Sequence, residues 1–94
     1  MKLLLAEDDR NLVEYLRPKL KKAGYVTEWA DNGIDAEFLA QEEDFAAIIL
    51  DLGLPQKPGL EVLENWRSQG LKTPVLILTA RDSWQERVDG LKSG

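Results

Sequence analysis

Short apolar runs alternate with longer segments in which apolar residues recur at helical spacing. Lys2 to Ala6, Tyr25 to Ala30, Phe45 to Leu50 and Val75 to Leu78 read as strands. The first, third and fourth are nearly continuous in Leu, Ile, Val and Ala, as expected of strands covered on both faces. Between them, Leu12, Tyr15, Leu16 and Leu20 mark one helix, with Asp8 or Asp9 as its cap and Gly24 as its end. Pro18 lies inside this helix, where it removes a donor and predicts a kink or a weakened middle. Asp31-Asn32-Gly33 is turn chemistry ahead of a second helix, with Ile34, Ala36, Phe38 and Leu39 as its apolar members. A loop with two prolines and two glycines, Gly53 to Gly59, precedes a third helix from about Leu60 to Gln69, carrying Leu60, Leu63 and Trp66. Asp82 or Ser83 can cap a last helix, Trp84 to Lys92.

The resulting order, βαβαβαβα, predicts a parallel sheet with helices on both faces. Right-handed crossovers leave few topologies, and a doubly wound, flavodoxin-like α/β sheet with strand order 2-1-3-4 leads among them. That order sets the first and third strands side by side at the switch point where open α/β sheets place their ligands. With 94 residues in all, a single domain is expected, burying roughly 60–70% of its unfolded surface.

Three apolar runs end in oxygen-bearing residues: Leu3-Leu4-Leu5-Ala6 in Glu7-Asp8-Asp9, Ile48-Ile49-Leu50 in Asp51, and Val75-Leu76-Ile77-Leu78 in Thr79. Each has a plain structural reading, as a helix cap, a turn residue or a β-former, and their agreement carries the functional one. Carboxylates ~4 Å apart repel by about 4 kcal/mol at an effective dielectric near 20. A hard divalent cation offsets this, and Mg²⁺ is the natural one because it joins carboxylates to phosphate. The expected chemistry is phosphoryl transfer to a carboxylate, with Asp51 as nucleophile, Glu7 and Asp8 as the metal side, and Thr79 donating to a phosphoryl oxygen.

Composition narrows the field. There is no cysteine and no histidine, which excludes thiolate chemistry, most hydrolase triads and most zinc sites. Twelve basic against 17 acidic residues give a net charge of -5, with no long-range pull toward nucleic acid or an anionic membrane. No apolar run approaches the ~20 residues needed to span a bilayer. The short apolar start is no signal peptide, so a cytoplasmic setting is expected.

From Lys2 to Gly94 the chain resembles the receiver domain of bacterial two-component response regulators. The resemblance rests on Glu7-Asp8-Asp9, on Ile49-Leu50-Asp51-Leu52-Gly53-Leu54-Pro55 with Gly59, and on Leu78-Thr79-Ala80-Arg81. Leu78 to Asp82 with Arg87-Val88-Asp89-Gly90-Leu91 further resembles receivers of OmpR-like transcription factors, which carry a winged-helix DNA-binding domain downstream. The resemblance implies a phosphoacceptor rather than an enzyme. Asp51 takes a phosphoryl group from a sensor histidine kinase, Asp8 is a direct Mg²⁺ ligand, and Glu7 acts mainly through bound water. Gly53 offers its backbone carbonyl to the metal, Thr79 is the switch hydroxyl, and Ala80 leaves room for it.

The chain departs from that family in two ways. Pro58 stands where an acidic residue is common and is expected to stiffen the loop. The sequence given also stops before the fifth strand, with its lysine and aromatic switch residue, and the fifth helix. Slower or undetectable phosphorylation is expected without that lysine, with Mg²⁺ binding retained. An exposed fourth strand predicts a homodimer formed by edge pairing or by exchange of a terminal element, and any contact with DNA belongs to a domain outside this sequence. Two other readings compete with this one. A haloacid-dehalogenase-type phosphatase would want a second aspartate at position 53, which is Gly. A pseudo-receiver, an interaction module that keeps the fold without phosphorylation, is opposed by the intact Glu7, Asp8, Asp51 and Thr79.

Overall fold

β1 (Lys2–Ala6) and β3 (Ala47–Asp51) form the centre of the sheet because they have no polar face to turn toward water. Leu4, Leu5, Ala6, Ile48 and Leu50 are wholly buried. In the computed structural model, which describes residues 1–78, these strands are flanked by β2 (Val26–Ala30) and β4 (Val75–Leu78) in the order β2-β1-β3-β4. All three pairings are parallel, as the sequence predicts. The helices are α1 (Arg10–Lys22), α2 (Gly33–Glu42) and α3 (Gly59–Ser68). The expected helix from Trp84 to Lys92 lies outside the described residues. No helix among the described residues is long and apolar enough to cross a membrane.

Asp9 caps α1, its carboxylate accepting from the amides of Asn11 at 3.0 Å and Leu12 at 3.3 Å. Lys19, Lys21 and Lys22 in the last turn suit the negative end of the helix dipole. The helix runs unbroken across Pro18, which is exposed, and the donor lost there is the one that would serve the Glu14 carbonyl. Gly24, at φ +99°, turns the chain out of the helix, and the amide of Tyr25 bonds back to Leu20 O at 3.0 Å. Val13 is the buried residue of α1, and Leu12, Leu16 and Leu20 are half-buried. Tyr15, expected on the inner face, is exposed beneath the Lys19 ammonium, 4.7 Å from the ring centre.

α2 lies close against the core through small residues, Gly33, Ala36 and Ala40, so the bulkier Ile34 and Phe38 face outward. α3 buries Val62 and Trp66, an i, i+4 pair, while Leu60 is exposed. The fully buried Trp66 joins Leu4, Ile48, Leu50, Leu54 and Val62 in the core under α2 and α3. Truncating a buried Trp of this kind to Ala costs about 3–5 kcal/mol.

Candidate metal centre

Strand register brings the carboxylates together. Ala6 pairs with Leu50, so the next residues, Glu7 and Asp51, come abreast at the carboxyl edge of the central strands. Glu7, Asp8 and Asp51 each offer one oxygen, and these oxygens lie within 4.8 Å of one another. Glu7 is 1% exposed and Asp51 5% exposed, while Asp8 opens to solvent. The cluster is therefore walled on the protein side and open at Asp8.

Neighbouring groups hold the backbone beneath it. The Glu7 amide donates to Ala30 O at 3.0 Å, and the Trp29 indole donates to Glu7 O at 2.7 Å. The Asp9 amide donates to Glu7 Oε2 at 3.0 Å, while the Asp9 carboxylate turns away to cap α1. On the other strand, the Gly53 amide donates to Asp51 Oδ1 at 3.2 Å. Gly59 bonds Leu52 O at 3.0 Å, and a Cβ there would come within 2.4 Å of Asp51 O. The backbone can approach Asp51 so closely only without a side chain at 59.

The electrostatics are unbalanced without a cation. Burial pushes the Glu7 carboxyl up to about 7, opposed by its bond from the Asp9 amide and reinforced by the nearby charge of Asp51. Glu7 Oε1 is buried with no hydrogen-bond partner. A buried acceptor without a donor, beside a second buried carboxylate, fits a hard cation that prefers oxygen ligands.

Of the residues singled out from sequence, Glu7, Asp8 and Asp51 converge, and Gly53 sits beside them. Thr79 and Ala80 lie outside the described residues. A Cβ on Gly53 would meet only the Asp51 carboxylate, at 3.8 and 3.9 Å, so glycine is not sterically required there. The sequence pattern places Trp29 only within the Tyr25 to Ala30 strand and carries no signal for its bond to Glu7 O. It also gives no role to Glu37, which pairs with Lys57 in the loop after Asp51.

The sequence profile of the response regulator receiver domain matches residues 3–94. The chain belongs to the response regulator receiver family. It is 48% identical over all 94 of its residues to the response regulator protein PmrA of Pseudomonas aeruginosa, of which it spans 42%. The receiver domain of Francisella response regulator 1452 superposes with a TM-score of 0.83 at 35% identity, over 99% of this chain and 77% of that one. The response regulator TrrA, solved in complex with the histidine kinase ThkA, gives a match with a TM-score of 0.79 at 28% identity, over 89% of this chain and 72% of the matched one. The curated relatives are transcriptional regulators of the OmpR-like group, and this chain is a response regulator receiver of two-component signalling.

Proposed function

We propose that Asp51 accepts a phosphoryl group from a sensor histidine kinase, with Mg²⁺ held by Glu7, Asp8, Asp51 and the backbone carbonyl of Gly53. The observation that carries this reading is the meeting of three carboxylates at the ends of adjacent strands, with Glu7 Oε1 buried and unpartnered. An Asp51 carboxylate oxygen attacks phosphorus in the donor, a P–O bond forms as the P–N bond to the donor imidazole breaks, and the departing nitrogen takes a proton from solvent. When bound, the cation supplies positive charge that offsets the carboxylates and the phosphoryl oxygens.

Glu7 and Asp8 hold the metal side, and the burial of Glu7 and Asp51 leaves the site open to solvent only toward Asp8. The Thr79 hydroxyl is assigned to donate to the phosphoryl group, with Ala80 as the small residue that makes space for it. The TrrA complex with its kinase supports a kinase as partner. Residues 1–94 act as one receiver unit in the cytoplasm. The relatives are longer, and several, such as QseB of Haemophilus influenzae and PhoP of Escherichia coli, are named as transcriptional regulatory proteins, which supports control of a DNA-binding segment elsewhere in the polypeptide. Leu76 and Ile77, exposed on β4, support edge pairing between two copies of the chain, read by light scattering.

Native mass spectrometry with Mg²⁺, before and after a small-molecule phosphodonor, tests the assignment. Gain of one phosphoryl group that Asp51→Asn abolishes is expected. No gain with Mg²⁺ still bound would replace this reading with a non-phosphorylated interaction module, and labelling of Asp51→Asn would move the acceptor to another residue.

A further inference from the structure

Glu37 stands on α2, outside the carboxylate cluster, yet it fastens the segment that follows Asp51. Residues 52–58 connect β3 to α3, and at their centre Gln56 has φ +71°, a left-handed conformation that a side-chain-bearing residue seldom adopts. The Lys57 amide closes a tight turn onto Pro55 O at 2.8 Å around it. A backbone held in such a region relaxes unless its surroundings over-determine it.

Two contacts from α2 do so. The Gly33 amide donates to Pro55 O at 3.1 Å, at an approach so close that a Cβ on Gly33 would lie 1.9 Å from Lys57 O. The Lys57 ammonium lies 3.2 Å from both Glu37 oxygens, with the two side chains only 26% and 18% exposed. Glu37 is itself braced: the Asn65 amide donates to Oε1 at 2.9 Å, and the indole of fully buried Trp66 donates to the Glu37 backbone carbonyl at 3.2 Å. A half-buried ion pair with one partner fixed from two sides is screened less and loses less entropy than a surface pair.

We infer that Glu37 is a positioning residue for the metal and phosphoryl site, acting through Lys57 to hold the loop whose first residues set the Gly53 backbone and the Asp51 carboxylate. The inference rests on the function proposed above and adds a residue on a different helix to it. The route is short: Lys57 fixes the Pro55–Lys57 turn, Leu52 O is held by Gly59, and the Gly53 amide bonds Asp51 directly.

The test compares Glu37→Gln, Lys57→Gln, the charge-reversed pair Glu37→Lys with Lys57→Glu, and Val13→Ala as a control that loosens the core at α1 only. Mg²⁺ affinity is read by titration calorimetry well below the melting temperature. Exchange of the Gly33, Lys57 and Gly59 amides is read by NMR in metal-free protein. Each single variant is expected to weaken Mg²⁺ binding on the order of 3- to 10-fold, below the 10- to 100-fold typical of groups bonded directly to metal ligands. Each is also expected to speed exchange at the loop amides, with the reversed pair recovering both and Val13→Ala moving neither. Unchanged Mg²⁺ affinity in both single variants, or an equal loss in Val13→Ala, overturns the inference. If the parent chain binds no Mg²⁺, the functional reading falls. Exchange then still decides the hold on the loop: selective acceleration upholds it and unchanged exchange overturns it.

Discussion

The two loops that deliver the carboxylates are built differently. After β1, only Glu7, Asp8 and Asp9 intervene before α1, and each backbone turn is settled within the loop or by the strand beside it: Asp9 caps the helix, its amide donates to Glu7, and the Trp29 indole on the adjoining strand donates to the Glu7 carbonyl. After β3 the connection is longer, contains a left-handed Gln56, and is held by Gly33 and Glu37 from a helix that precedes it in the chain. The first loop is positioned by its own residues and by the neighbouring strand of the sheet, the second by side-chain and backbone contacts from a helix packed against it. Damage to the second should therefore spread further than damage to the first.

The largest effects are expected where the second loop meets backbone with no side chain between. Gly33→Ala and Gly59→Ala place a Cβ 1.9 Å from Lys57 O and 2.4 Å from Asp51 O, contacts that flexible side chains cannot relieve. Each should destabilise the chain by about 1–3 kcal/mol, Gly33→Ala the more, as measured by urea unfolding. Gly53→Ala, whose Cβ meets nothing closer than 3.8 Å, should stay within about 0.5 kcal/mol of the parent. Equal costs at all three positions would remove the distinction between a clamped loop and a merely short one.

The next effect concerns the cluster that the loops share. The Glu7 carboxyl is raised from 4.5 to about 7 by burial and by Asp51, so the folded chain keeps a proton that the unfolded chain has already released. Below about 4.5 both states are protonated and the folded state pays no penalty. As pH rises from 4.5 through 7 the metal-free protein should lose stability, and Glu7→Gln should flatten this fall. Mg²⁺ added at neutral pH should restore stability, because it binds the deprotonated cluster. Thermal melting from pH 4.5 to 8 with and without Mg²⁺ checks the sign; a metal-free chain that gains stability across this window would contradict it.

The same contrast explains what was legible in the sequence. The strand order and the meeting of Glu7, Asp8 and Asp51 could be read because continuous apolar runs demand central strands, and strand register then fixes which residues lie abreast. Helix orientation was less legible. Ile34, Phe38 and Leu60 fit an inward pattern yet face outward, because close packing at Gly33, Ala36 and Ala40 selects the opposite side of α2, and the Val62 and Trp66 pair outweighs Leu60 on α3. The Glu37–Lys57 pair was not legible, since nothing local links two residues on separate elements. Nor does any sequence signal require a left-handed Gln56, where glycine or asparagine would have announced the turn.

Asp9 gives the smallest effect and the sharpest check on locality. Its carboxylate caps α1, whereas its amide, which bonds Glu7, belongs to the backbone and survives substitution. Asp9→Ala should therefore cost about 1 kcal/mol in urea unfolding, the usual loss of an N-cap, while leaving Mg²⁺ affinity nearly unchanged. A large loss of Mg²⁺ affinity at this small cost in stability would mean that the cap itself aims Glu7 and Asp8. The first loop would then be as dependent on side-chain staples as the second, with its staple supplied from within the loop instead of from a distant helix.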